Sequence, residues 1–310
     1  MYLIQKVDYH FWKKMAVPFF FVSMVFLVLV FVPGIGSKVY GASRWIQLGP
    51  FSFQPSEMAK LAIILYLAAW LESRGAQRIK DLFEGVIPFL AIMGLVGFLI
   101  IKQPDTGTLG VIVLTSIAIF FISGAQLKHL ATLGGIGFCT LWLLVKLEPY
   151  RFDRIVSFQN PASDPQGIGY QIMQALIGVG SGGIFGVGLG NSRQKFNYLP
   201  EPVGDSIFAV IGEELGLIGS VILIILFVVL ALRGLKIAKN APDGFGKLVA
   251  TGITMWIIFQ AFINISANVG LVPFTGIPLP LISYGGTSMI FIMAAVGILL
   301  NISKQTRLES

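Results

Sequence analysis

Of 310 residues, 55% belong to the hydrophobic set and 12% are charged, with 22 Lys+Arg, 15 Asp+Glu and a mean hydropathy of +0.82. Soluble domains carry about 25% charged residues, so this composition excludes a soluble globular protein and specifies one whose surface is largely covered by lipid. A single cysteine, Cys139, excludes an internal disulfide framework and a multi-cysteine metal site, and two histidines, His10 and His129, are too few for a histidine-based zinc site.

In chain order, mostly apolar runs of spanning length fall at 15–32, 56–71, 85–101, 107–125, 130–147, 206–232, 248–271 and 287–303. None alternates with the period of a strand, so the predicted fold class is all-α. It is a polytopic bundle of about eight transmembrane helices forming a single integral membrane domain over residues 1–310. Lys6, Lys13 and Lys14 ahead of the first run resemble the start of a signal peptide. No small-residue cleavage site follows, and seven further spans make this run a permanent helix.

The connecting segments carry most of the charge. With the N-terminus in the cytoplasm, thirteen basic residues between Lys6 and Arg307 face inward against six acidic ones. The outward set is Lys38, Arg44, Lys102, Arg151, Arg154, Arg193 and Lys195, also against six acidic residues. The positive-inside rule therefore predicts cytoplasmic termini and explains the net charge of +7 without a nucleic-acid partner. Two outward connections, 32–55 and 148–205, are long and rich in Gly and Pro. The second contains GVGSGGIFGVGLG at 178–190, which satisfies the letters of a dinucleotide fingerprint. No strand precedes it, and close packing of short re-entrant helices through small residues is the better reading.

Charged residues within spans are candidates for function. Glu57 and Lys60, three apart, share a helical face and can neutralise each other, whereas the adjacent Glu213 and Glu214 point apart, and at least one is expected to bond a neighbouring helix end. Asp205 stands at the outer start of the sixth span, after YLPEP (198–202), with Glu201 four residues before it. It reads either as a helix N-cap or as a base facing Arg44, Lys102, Arg193 and Lys195. A carboxylate among cations suits a substrate with a phosphate leaving group. Trp45, beside Arg44, reads as an interfacial anchor.

The segments GASRWIQLGPFSFQPSEMAK (41–60), KQPDTGT (102–108), GSGGIFGVGLGNSRQKFNYLPEPVGDSIFAVIGEELG (180–216) and TGIPLPLISYGGTS (275–288) together resemble the SEDS family of shape, elongation, division and sporulation proteins, which comprises FtsW, RodA and SpoVE. The resemblance implies a peptidoglycan glycosyltransferase that polymerises lipid II outside the cytoplasmic membrane, and GNSRQK (190–195) favours the division branch and a septal role. It implies that Asp205 is the catalytic base, with Glu201 in the same motif. It also marks Arg44, Trp45, Gln103, Pro104, Asp105, Ser56, Glu57 and Lys60 as lining the substrate or shaping its site. Implied partners are a class B penicillin-binding protein, whose single helix packs on the bundle, and other division proteins; the cofactor in question is a divalent cation, Mg2+ or Mn2+. Alternative readings are a lipid II flippase, using Glu57, Lys60, Glu213 and Glu214, and a non-catalytic scaffold for the penicillin-binding protein. Two departures stand out. The family's usual P-E-A-H-T-D reads PEPVGD here, and against its ten spans the chain is expected to lack two N-terminal helices through a misplaced start or fragmentary gene model.

Overall fold

The computed structural model describes residues 1–39, 42–49, 51–164 and 167–305. Gly41 and Pro50 of the first family-like segment and Arg307 of the inner basic set lie outside the described residues. The elements are α1 (Tyr9–Leu29), β1 (Gly36–Val39), β2 (Ala42–Leu48), β3 (Phe51–Phe53), α2 (Pro55–Ile79), α3 (Ile87–Lys102), α4 (Thr106–Ile122), α5 (Leu127–Leu147), α6 (Pro149–Gln159), α7 (Ile168–Ser181), α8 (Arg193–Asn197), α9 (Ile207–Lys239), α10 (Gly244–Asn268) and α11 (Gly286–Gln305). The fold is a helical membrane bundle, with one exception in the first long connection, where β1, β2 and β3 pair antiparallel in that order.

Each of the eight expected spans is a helix, but they are not equally apolar. Among the described residues, five helices are long and apolar enough to cross a membrane: Tyr9–Leu29, Leu82–Lys102, Ile207–Lys239, Gly244–Asn268 and Gly286–Gln305. Thr106–Ile122 is apolar but has only 17 residues. α2 is diluted by charge, carrying Glu57, Lys60, Glu72, Arg74 and Arg78, whereas α5 keeps the apolar run 130–147, in which Lys146 is the one charged residue. The second long connection holds α6, α7 and α8, the short helices its length and composition call for.

The chain forms two compact units. In the first (Met1–Leu130, Leu230–Phe259 and Gly286–Ser310), α2 is the buried centre, with Ala59, Leu65, Leu67, Ala68 and Leu71 fully inaccessible. Tyr66 stacks on Phe20 of α1 at 4.3 Å between ring centroids, and Phe89 on Phe120 at 4.5 Å. The N-terminal turn is pinned by Asn301, which accepts from Tyr9 N at 2.9 Å and donates to Gln5 O at 2.9 Å.

The second unit, Ala131–Val229 and Gln260–Gly285, packs Ile172, Ala175, Leu199, Ala209, Val210, Ala267 and Phe274 together. Its long helix α9 is interrupted at Gly216, where φ is +66°. The Gly-rich segment repairs the break: Val187 N and Gly188 N donate to Glu213 O and Glu214 O, each at 3.0 Å, and Leu217 N and Ile218 N donate to Gly183 O and Ile184 O. Unpaired backbone groups are costly within an apolar span, so this exchange is what permits the break. A Cβ on Gly216 would lie 2.4 Å from Gly186 N, so the approach requires glycine.

Candidate active site

In the second unit the chain turns just before α9 and delivers Asp205. Glu201 O accepts from Gly204 N at 3.0 Å and from Ser206 N at 3.3 Å, closing the turn. Three successive carbonyls are then held from outside it. Val203 O accepts from Tyr284 N at 2.8 Å, and Gly204 O from Ser283 Oγ at 2.6 Å. Asp205 O accepts from Asn264 Nδ2 at 2.7 Å and Asn268 Nδ2 at 2.9 Å. Gln260, Asn264 and Asn268, all essentially inaccessible, project from one face of α10 at four-residue spacing. Gln260 Nε2 donates to Pro278 O at 2.9 Å, and Asn264 Nδ2 also reaches Ile277 O at 2.8 Å, so the same stripe fixes the loop that follows α10.

The Asp205 carboxylate is half-buried. Its Oδ1 accepts from Gln171 Nε2 of α7 at 3.3 Å and from Ser206 Oγ at 3.4 Å, while the same Gln171 nitrogen reaches Ser206 Oγ at 3.1 Å. Oδ2 lies toward Gly276, where φ is +72° and an added Cβ would stand 3.8 Å from that oxygen. Burial pushes the Asp205 carboxyl up and the negative charge of Glu201 adds to it; the bonds from Gln171 and Ser206 oppose both, and the balance is about 6. A carboxylate with that value is largely ionised at neutral pH yet a far stronger base than an ordinary aspartate, which is what general-base catalysis requires.

The other candidates are committed to neighbours in several ways. Glu213, 2% accessible, accepts from Ser192 Oγ at 2.5 Å, Arg193 N at 3.0 Å and Gln194 N at 3.3 Å, thereby tying the start of α8 to α9. Lys195 Nζ pairs with Glu214 Oε1 at 3.1 Å, whereas Arg193 is exposed. In the first unit, Arg44 donates from Nε to Gln103 O at 3.0 Å and from a terminal nitrogen to Pro104 O, bracing the turn between α3 and α4. Asp105 caps α4 by accepting from Thr108 N and also accepts from Ser56 Oγ, both at 3.3 Å. Lys102 is exposed in the last turn of α3, 5.8 Å from the Phe98 ring, and Trp45 sits in β2 opposite Ser37. Glu57 and Lys60 form a buried pair at 2.8 Å, with the ammonium 5.1 Å from the Trp256 ring.

The structure thus brings Asp205 and Glu201 together and places Arg193, Lys195, Glu213 and Glu214 in their unit, while Arg44, Trp45, Lys102, Asp105, Glu57 and Lys60 belong to the other. Among the described residues no three His, Cys, Asp or Glu side chains gather into a metal site. Mg2+ is commonly held by only one or two carboxylates, with water and substrate phosphates completing its shell, so a cluster of three is not what such a cation requires; no step is routed through it. Gln171, Asn264, Asn268 and Ser283 were not singled out from the sequence. The signal available was the four-residue spacing of three carboxamides inside an apolar span.

A half-buried carboxylate at the head of a broken span, in a bundle of apolar helices, is an arrangement suited to a membrane-embedded enzyme. Comparison with known proteins gives the family. The profile of the FtsW, RodA and SpoVE family, described as a cell cycle protein, matches residues 1–308. Stage V sporulation protein E of Bacillus subtilis is 46% identical over 307 residues, covering 99% of this chain and 84% of that protein. A Geobacter sp. protein named "Probable peptidoglycan glycosyltransferase FtsW" is 42% identical over 301 residues, 97% of this chain and 82% of its own length. Among solved structures, a chain from a peptidoglycan synthase complex, in work on the coordination of polymerization and crosslinking, aligns with TM-score 0.80 at 30% identity, covering 99% of this chain and 86% of that one. The rod shape determining protein RodA of Thermus thermophilus aligns with TM-score 0.72 at 28% identity, over 99% and 84%. The chain belongs to the FtsW, RodA and SpoVE family, the SEDS proteins, and is a multi-pass membrane glycosyltransferase.

Proposed function

We propose that this chain polymerises lipid II, the undecaprenyl-diphosphate-linked disaccharide pentapeptide, into β-1,4-linked peptidoglycan strands, with Asp205 as the general base. The observation that carries the reading is the Asp205 carboxylate: half-buried, held on one oxygen by Gln171 and raised to about 6. Asp205 Oδ2 removes the proton from the 4-hydroxyl of the acceptor's N-acetylglucosamine. That oxygen attacks the anomeric carbon of the donor's N-acetylmuramic acid, a new C–O bond forms with inversion, and the bond to undecaprenyl diphosphate breaks. Arg193, the exposed cation at the start of α8, is the group in this unit suited to the departing diphosphate. Arg44 and Asp105 brace the α3–α4 turn, and Glu57 and Lys60 neutralise each other in the core of their unit. The in-membrane charges do not favour a flippase, because Glu57, Lys60, Glu213 and Glu214 all have fixed partners.

The proposed setting is the cytoplasmic membrane, with cytoplasmic termini and Asp205 on the outer side, in septal synthesis. The relatives named FtsW and the sorting of basic residues support this. The proposed partner is a class B penicillin-binding protein within the division machinery. Exposed apolar residues of α9, such as Ile222, Ile225 and Leu226, offer a face for its single helix. The function is tested with purified protein in detergent given lipid II: native protein should make glycan polymer and Asp205→Asn none. Full polymerisation by the variant would overturn the assignment.

A further inference from the structure

We infer that Gln171, Asn264 and Asn268 form an amide cradle that positions Asp205, with Gln171 fixing the carboxylate and the two asparagines fixing the main chain that carries it. The inference rests on the reading of Asp205 as the base. Two independent sets of contacts lead to it. On the side chain, a single nitrogen, Gln171 Nε2, spans Asp205 Oδ1 at 3.3 Å and Ser206 Oγ at 3.1 Å, so it ties that oxygen to the neighbouring hydroxyl. Oδ2 lies on the Gly276 side, where an added Cβ would stand 3.8 Å from it. On the main chain, Asp205 O receives both Asn264 Nδ2 at 2.7 Å and Asn268 Nδ2 at 2.9 Å. Asn268 Nδ2 also reaches Asn264 O at 3.0 Å, so the two side chains act together across one turn of α10.

Burying two carboxamides in an apolar helix is costly unless their donors are used. Here they converge on the carbonyl of Asp205, the residue whose carboxylate Gln171 holds, which a purely packing role would not require. A base of this kind must present one oxygen to the incoming hydroxyl while the other is held, and the cradle separates these tasks: Oδ1 is occupied and Oδ2 is presented. Gln171 and the asparagines are positioning residues, acting through Asp205 and not on the substrate.

The roles make different kinetic predictions. Gln171 donates to the ionised carboxylate, and removing such a bond should move the acidic limb of the pH–rate profile upward by about one pH unit. Gln171→Met keeps the bulk and removes the donor. Polymerisation of lipid II by this variant should fall about fivefold at pH 6 and hardly at all at pH 8, with KM unchanged. Gln171→Glu, which adds a negative charge at the same place, should move the limb further in the same direction. Asn268→Ala should lower kcat several-fold at every pH with the limb unmoved, because it acts on the main chain. A Gln171→Met profile superimposable on the native one, with Asp205→Asn inactive, overturns the cradle and leaves the base in place. Activity in Asp205→Asn overturns the base itself.

Discussion

Replacing Asp205 by Asn should stabilise the protein even as it removes the proposed chemistry. The ordinary carboxyl value of 3.8 becomes about 6 in the fold, because burial and the charge of Glu201 outweigh the hydrogen bonds from Gln171 and Ser206. A group whose folded value is raised binds its proton more tightly when folded, so its contribution to stability is complete below 3.8 and is lost as pH rises through about 6. At about 1.4 kcal/mol per pH unit between those values, ionised Asp205 costs the folded state about 3 kcal/mol at pH 8. Asparagine has the same shape, can accept the Gln171 bond through its own Oδ1, and carries no charge to desolvate. Thermal melting of native and variant proteins in one detergent, at pH 8 and pH 4, measures the difference. For domains of moderate size 1 kcal/mol moves the midpoint by about 2–4 °C, so the variant should melt several degrees higher at pH 8 and the gap should nearly close at pH 4. A variant that melts lower at pH 8, or a gap independent of pH, would refute the claim that Asp205 is held under electrostatic strain.

The same carboxylate predicts that polymerisation rises with pH through about 6, and that Glu201→Gln, by removing a nearby negative charge, moves that limb to lower pH; an upward shift would contradict the placement of Glu201. Glu213→Ala strips three donors of their acceptor at the start of α8 and should cost about 2–4 kcal/mol, read as a fall in melting midpoint; an unchanged midpoint would mean α8 is held otherwise. Lys60→Met leaves Glu57 buried without its cation and should cost about 3–5 kcal/mol, whereas the double change Glu57→Gln with Lys60→Met should be far milder. Equal losses in the two would show that the pair contributes more than mutual neutralisation.

The spans were legible because lipid imposes one rule on every residue: apolar runs of the right length become helices, and eight of them did. Their limits were less so. The run at 206–232 extends as α9 to Lys239, since a helix can carry Arg233, Lys236 and Lys239 beyond the apolar stretch at no cost to its hydrogen bonds. The break at Gly216 was hidden because one more glycine in a run of spanning length gives no sign of its φ; the adjacent Glu213 and Glu214 and the seven glycines of 178–190 were the hints of a partner for it. The sheet β1–β3 was missed because its strands are three to seven residues long and sit in a connection where Gly and Pro dominate the reading.

At the site, Asp205 and Glu201 were visible through the Pro-flanked turn that sets them before α9, and Asp105 had the same local appearance yet serves as a cap. Sequence could not separate the two, because that depends on which groups meet each carboxylate from distant segments. For Asp105 it is Thr108 N and Ser56; for Asp205 it is Gln171, 34 residues away. The outward cations were read as one set, but a charge count does not say which are spent. Lys195 is taken by Glu214 and Arg44 by two carbonyls, while Arg193 remains exposed.

The central claim is that Asp205 takes the proton from the attacking hydroxyl, and the direct measurement is polymerisation of lipid II by purified native and Asp205→Asn proteins in detergent, each checked for an intact melting transition. The account predicts glycan strands from the native protein and none from the folded variant. Strands of normal length and rate from the variant would contradict it.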